Sequence, residues 1–169
     1  MVEAHAGNWR RMARADLVSV ERISDLVHPT YPEDAMVIAE RLQLYPAGCL
    51  VLEYRSATQG YAVSHPWLFG RPPALNTLLQ DLPARPDTFY IHDVALVPEL
   101  RRSHLGTTVV QLLVHQAKLD GLDNMSLVAV GRSLDFWRKN GFQAIEREEI
   151  RAALSTYGEG ATFMARSLQ

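Results

Sequence analysis

Apolar residues recur along this chain in two rhythms. After a polar opening, Leu17, Val20, Ile23, Leu26 and Val27 fall three or four positions apart, the spacing of one helix face. Asp16 is the expected N-cap, and the HPTYP stretch over 28–32 ends the helix. A second helix is predicted to open at Pro32-Glu33, to carry Met36, Val37, Ile38, Ala39 and Leu42, and to stop by Pro46-Ala47-Gly48. The rhythm then shortens. Residues 49–54 and 60–64 read as strands joined by a turn, an antiparallel hairpin. Residues 66–87 hold five of the nine prolines and predict a long ordered loop with a short helical piece over 75–82, of a length that often shapes a site.

A buried strand over 88–97 and a turn over 98–103 follow. The longest helix is predicted for 104–119; Leu105, Val109, Val110, Leu112, Leu113 and Val114 make it apolar on more than one face, as a central packed helix is. Gly121 ends it. Short strands at 127–130, 142–146 and 162–165, a helix over 133–140 closed by Gly141, and a first strand near 9–13 complete the order β-α-α-β-β-β-α-β-α-β-β. The strand, helix and strand over 88–130 form a βαβ unit with a right-handed crossover. No repeat or second domain is visible in the 169 residues, so a single α/β (α+β) domain spanning 1–169 is expected.

Composition narrows the chemistry. Hydrophobic residues at 47% and charged residues at 21% describe a globular chain. The net charge of -2 leaves no basic surplus for phosphate backbones, which argues against nucleic acid as a partner. Cys49 stands alone and the six histidines are scattered, with no HExxH spacing, so no protein-held metal is expected. No apolar run reaches the ~18 residues of a membrane span. The opening, Met1 to Gly7, has neither a basic nor an apolar leader region. The expectation is a soluble protein of the reducing cytoplasm, without membrane partners.

The informative stretch runs from Ile91 to Thr107. A strand ends in Asp93-Val94-Ala95-Leu96-Val97, then Arg101-Arg102-Ser103-His104-Leu105-Gly106 leads into a helix. Such a turn aims free backbone N–H groups and a helix dipole at one point, which suits a pyrophosphate. An ordinary βαβ turn is the other reading of the same residues.

Here the chain resembles the GNAT superfamily of acyl-CoA-dependent N-acyltransferases, from Asp16 onward. Arg101–Gly106 lies on the family's [RQ]-x-x-G-x-[GA] turn, with Val97-Pro98-Glu99 before it. Phe136-Trp137-Arg138-Lys139-Asn140-Gly141-Phe142 fits its aromatic-x-x-x-Gly-Phe segment, and Tyr157–Met164 resembles the C-terminal part of bacterial members. The resemblance implies a GNAT-type domain: a mixed, mostly antiparallel twisted sheet flanked by helices on both faces, with a central βαβ acyl-CoA-binding unit. It implies acetyl-CoA as co-substrate, with no metal, and a primary amine of a small molecule or peptide as acceptor. Transfer of a longer acyl group, or a non-catalytic acyl-CoA-binding regulatory module, is the alternative.

By the same resemblance the backbone of Leu96 and Val97 pairs with the pantetheine arm, and the amides of Arg102, Ser103, His104, Leu105, Gly106 and Thr107 surround the pyrophosphate. The side chains of Arg101 and Arg102 lie within reach of phosphates. Two residues depart from the pattern. His104 stands where glycine is usual, and Trp137 stands where many members carry a tyrosine that protonates the thiolate. Trp137 is read as packing beside the acyl-CoA or in the core.

A proton acceptor in this family commonly comes, often through water, from the strand positions of Tyr90 or His92. Period two puts Tyr90, His92, Val94 and Leu96 on one face, and Ile91, Asp93, Ala95 and Val97 on the other. His92 is read as the base or as a satisfied core histidine. Asp93 is read as structural, holding a loop or a basic residue. Acceptor-side candidates are Tyr31 and Glu33 in the first interhelix loop, and His65 and Trp67 after the third strand. Glu33 suits a substrate ammonium or the first turn of a helix. His65 is expected at a loop mouth, and an exposed hydrophobic strand near the C-terminus would fit a homodimer.

Overall fold

The computed structural model describes residues 7–169, so most of the polar opening lies outside it. Seven strands form one sheet in the order β1-β2-β3-β4-β5-β7-β6. They are β1 (Asn8–Arg11), β2 (Cys49–Tyr54), β3 (Ala57–Trp67), β4 (Thr88–Leu96), β5 (Asn124–Ala129), β6 (Gln143–Ala144) and β7 (Thr162–Ser167). Every neighbouring pair is antiparallel except β4 and β5, the two strands of the βαβ unit. The helices are α1 (Leu17–Val27), α2 (Ala35–Leu44), α3 (Leu105–Leu119), α4 (Leu134–Lys139) and α5 (Glu148–Ala153).

Alternation along the strands divides the core between the two faces of the sheet. On one face Val109, Val110, Leu113 and Ala117 of α3, with Trp137 of α4, pack on Leu50, Ala62, Phe89, Ile91 and Leu127. On the other, Val20 and Ile23 of α1 and Ile38 and Leu42 of α2 pack on Val51, Tyr61, Val63, Ala95 and Val97. A third cluster joins Ile150 and Leu154 to Phe163, with Phe69 and Val128 beside them.

One irregularity positions the site. Val63 pairs with Asp93 and Ser64 pairs with Ile91, so His92 is an extra residue in β4. A bulge of this kind bends the strand and turns two successive side chains to the same side. Strict alternation therefore fails at His92: Ile91 lies in the α3-side core, whereas Ala95 and Val97 lie in the α1/α2-side core. The bulge also marks where β4 leaves β5. These two pair only through Phe89–Met125, Tyr90–Ser126 and Ile91–Leu127. Beyond Ile91, β4 is paired with β3 alone and β5 with β7 alone, which leaves a wedge between them.

Several local expectations are corrected. Asp16 stands at the N-cap of α1 as expected, but its side chain makes no cap bond; its carboxylate accepts from both terminal nitrogens of Arg10, at 2.8 and 2.9 Å, and from the Ala13 N–H. Helix α2 begins at Ala35 rather than Pro32-Glu33, which frees Glu33 from the first turn. Strand β3 extends through Pro66 and Trp67 because it has run past its last pair with β2, Cys49–Val63, and a proline is tolerated on such a free edge. Residues 75–82 hold no helix. Helix α5, six residues long, is too short to show a period.

Candidate active site

The wedge exposes backbone. Val97 donates its N–H to the Gln59 carbonyl at 3.0 Å, and its own carbonyl accepts from Leu100. The 59–97 pair is thus a hydrogen-bonded one, and antiparallel pairing alternates. Leu96 and Val94, opposite Gly60 and Ala62, therefore turn their N–H and C=O groups away from β3 and into the wedge. An extended ligand arm that needs backbone partners finds them there. Val94 was missed by the sequence reading, because only the register of β3 against β4 reveals it. Val97 has already committed its N–H.

The wedge leads to the start of α3. Ser103 donates its hydroxyl to the Leu100 carbonyl and accepts the Leu105 N–H at 3.4 Å, so those groups are satisfied internally. The Leu105 carbonyl accepts from the Trp9 indole at 3.0 Å. Among the described residues, the amides of Arg102, His104, Gly106 and Thr107 have no backbone acceptor. Such amides at the start of a 15-residue helix fit an anion. The side chains of Arg101, Arg102, Ser103, His104 and Thr107 belong to exposed residues.

His104 adopts φ -73°, so its place in the turn does not require glycine; the left-handed residue is Arg102, at φ 69°. At Gly106 the constraint is packing: an added Cβ would lie 3.0 Å from Phe136 Cε2, so that ring would have to give way. Trp137 is buried in the core, edge-on to Phe142 with centroids 5.4 Å apart.

On the α1/α2 face two histidine–carboxylate pairs lie side by side in sequence along β4. His92 Nε2 meets Glu33 Oε1 at 2.8 Å, with side chains 4% and 13% exposed. A carboxylate only accepts, so Nε2 carries a proton and donates; Nδ1 is buried and without a partner. Glu33 Oε2 also accepts the Asn76 N–H at 3.0 Å. Burial works to raise the Glu33 carboxyl, but the His92 bond and charge outweigh it and hold it below its ordinary range.

Asp93 meets His28 Nε2 at 2.9 Å and accepts the Tyr61 hydroxyl. Burial opposes its charge, yet His28 and Tyr61 keep it below the usual carboxylate range, and Asp93 in turn raises His28 against its own desolvation. Asp93 thus ties the α1–α2 loop to the sheet.

Tyr90 is fully enclosed, and burial raises its phenol well above the ordinary value. The nearby Tyr157 donates to the Pro73 carbonyl at 2.7 Å. His65 is not at a loop mouth. It is wholly buried in β3, its ring 5.6 Å from Tyr90 and 5.3 Å from Trp67. Nδ1 donates to the Pro66 carbonyl, Nε2 is without a partner, and burial pushes the imidazole down to about 3. Trp67 donates its indole N–H to Arg71 at 2.7 Å, bracing the loop. Tyr31 is half-buried and bonds through its backbone to His28. Among the described residues there is no cluster of three metal-ligating side chains, and no helix is long and apolar enough to cross a membrane.

Comparison with known proteins gives the arrangement a context. The pattern of the acetyltransferase (GNAT) family matches residues 17–142. No curated protein matches the chain. Among solved structures it is similar to Ard1 from Thermoplasma volcanium, at 16% identity and TM-score 0.73, over 97% of this chain and 99% of that one. It is similar to GphF, a GNAT-like decarboxylase in complex with isobutyryl-CoA, at 16% identity and TM-score 0.78, over 96% and 100%. N-acetylglutamate synthase from Neisseria gonorrhoeae, complexed with coenzyme A and N-acetyl-glutamate, matches at 15% identity and TM-score 0.67, over 99% of this chain and 36% of that one. At these identities the likeness is one of fold.

Proposed function

The chain belongs to the acetyltransferase (GNAT) family, and from that premise we propose that it moves an acetyl group from acetyl-CoA to a primary amine, with His92 as proton acceptor. The carrying observation is the bulge at His92. The same extra residue that opens the edge of β4 beside the wedge also carries an unpartnered Nδ1, with Glu33 on its other ring nitrogen.

The pantetheine arm takes the open N–H and C=O groups of Val94 and Leu96, and the pyrophosphate takes the amides of Arg102, His104, Gly106 and Thr107. A primary amine of lysine type, with a pKa near ~10.4, arrives mostly protonated and must become neutral to attack. His92 Nδ1 accepts the amine proton, and the Glu33 carboxylate stabilises the imidazolium so formed. The nitrogen bonds to the thioester carbon, and an N–H on the open edge of β4 steadies the oxyanion. The C–S bond then breaks and coenzyme A leaves as thiolate, which takes up the second proton of the attacking nitrogen and so leaves a neutral amide and a free thiol; this is tolerable without a dedicated acid because a thiol titrates near ~8.5. The absence of a tyrosine at Trp137 is consistent with that.

Fold neighbours complexed with coenzyme A together with N-acetyl-glutamate or with a peptide support a small or peptide amine as acceptor. The test follows thiol release from acetyl-CoA across a panel of amino acids, polyamines and peptides, with N-acetyl product identified by mass spectrometry. Amine-dependent release is expected. Acetyl-CoA binding with no amine-dependent release across the panel would make the protein a non-catalytic acyl-CoA binder, and absence of binding would overturn both readings.

A further inference from the structure

We propose that the acceptor amine also bears a carboxylate, and that Arg41 on α2 holds it; the inference rests on the acyl-transfer reading and names the substrate class of that site. Arg41 is a charged side chain with 0% exposure, inside the α1/α2 face of the sheet. All its hydrogen bonds leave from one nitrogen: Nη1 donates to Glu40 Oε1 at 2.9 Å and to the Thr77 carbonyl at 2.8 Å. Nε and Nη2 are enclosed and have no partner.

These two nitrogens form one edge of the guanidinium, with parallel N–H bonds at the spacing of a carboxylate's two oxygens. Leaving such an edge unmatched inside a protein is costly, and each orphaned group of this kind calls for an explanation. Glu40 does not supply one. Its Oε1 also accepts the Leu79 N–H and its Oε2 the Gln80 N–H, at 2.7 and 2.9 Å, so the carboxylate is fixed where it is. Glu33 is likewise committed to His92 and Asn76.

The same buried region contains the converse deficiency. His65 Nε2, left as the acceptor because Nδ1 donates to the Pro66 carbonyl, and His92 Nδ1 are both without partners. Adjacent loop residues link these groups: Glu33, which meets His92, accepts the Asn76 N–H, Arg41 donates to the Thr77 carbonyl, and the His65 ring lies 5.6 Å from Tyr90, two residues before His92. An unfilled donor edge for an anion thus shares one buried region with two ring nitrogens that lack partners. The complement is a compact molecule with an amine toward His92 and Glu33 and a carboxylate toward Arg41: a free amino acid, or a short acid of that kind.

The test uses matched pairs that differ only in the carboxylate. N-acetyl-amino acids and their C-terminal amides are compared by thermal shift without coenzyme A, and free amino acids and their amides by turnover with acetyl-CoA. The acids are expected to raise the melting temperature while the amides do not, and to turn over with kcat/KM about tenfold or more above the amides. Arg41→Lys keeps a charge and a donor for Glu40 and Thr77 but lacks the forked edge, so a folded variant is expected. It should lower kcat/KM for the acid about tenfold more than for the amide, with acetyl-CoA affinity unchanged. Equal behaviour of acid and amide in the unsubstituted protein, or an Arg41→Lys variant that keeps full preference, would overturn the proposal. An acetyl-CoA titration separates the two readings: carboxylate-specific shifts without acetyl-CoA binding would sink the acyl-transfer function and leave the anion site standing.

Discussion

Replacing Glu33 by glutamine probes the dyad without changing its shape. The carboxylate lies 2.8 Å from His92 Nε2 and has its full effect when the imidazole becomes charged. Two unit charges about 4 Å apart at an effective dielectric constant of about 20 interact by about 4 kcal/mol. Since each tenfold in rate is about 1.4 kcal/mol, the ceiling is about a thousandfold in kcat. The side chains are 4% and 13% exposed and glutamine retains one acceptor, so a loss of about 30- to 300-fold is expected.

The substitution also has a stability cost. Glu33 serves two donors, His92 Nε2 and the Asn76 N–H, on separate oxygens; glutamine has only one carbonyl oxygen, and one donor is orphaned at about 1–3 kcal/mol. At about 2–4 °C per kcal/mol for a chain of this size, the melting temperature should fall by several degrees. The assay is thiol release at saturating acetyl-CoA, well below that melting point, with the fastest amine of the panel. Acetyl-CoA affinity, measured by calorimetry, should be unchanged. A kcat within about threefold of the unsubstituted protein, with the expected drop in stability, would refute a catalytic link between Glu33 and His92.

Three further outcomes follow from single residues. His65 has its folded pKa depressed to about 3 from 6.5, so its stabilising neutrality is complete above about pH 6.5 and is lost as pH falls, at about 1.4 kcal/mol per pH unit; His65→Gln should flatten the decline in melting temperature between pH 7 and 5, and an unchanged slope would count against it. Gly106→Val forces a side chain against Phe136, whose Cε2 lies 3.0 Å from the first added carbon; a loss of about 1–3 kcal/mol in denaturant unfolding is expected even without coenzyme A. His104→Gly should change coenzyme A affinity by no more than about twofold, because φ -73° suits any residue and the side chain is exposed; a large loss would mean that the imidazole itself meets the ligand.

Helices α1 and α3 and the βαβ unit were legible because each rests on a local period: Leu17, Val20 and Ile23 in α1, or Val109, Leu113 and Ala117 in α3. The turn after β4 was legible for the same reason, as strand, basic residues and helix follow one another directly. The chemistry of β4 was not. Tyr90-Ile91-His92-Asp93-Val94 reads as part of one continuous strand, and its two adjacent polar residues do not say which of them is extra; the bulge is defined only by the pairing with Val63 and Ser64. Glu33 and His92 are 59 residues apart, and Tyr157 and Pro73 are 84 apart, so these contacts depend on how α2 and the loop over 66–87 dock onto the sheet. Arg41 reads from sequence as a charged residue on a helix, and only packing shows it enclosed.

The central claim is that acyl-CoA lies along the open edge of β4 and ends on the amides that begin α3. Amide chemical shifts of the 15N-labelled protein during titration with coenzyme A report on those groups one by one. The account predicts saturable shifts largest at Val94, Leu96, Arg102, His104, Gly106 and Thr107, with little change at Met36 and Leu78 on the outer side of α2. Saturable shifts centred on that outer side, with the wedge and the α3 turn undisturbed, would contradict it.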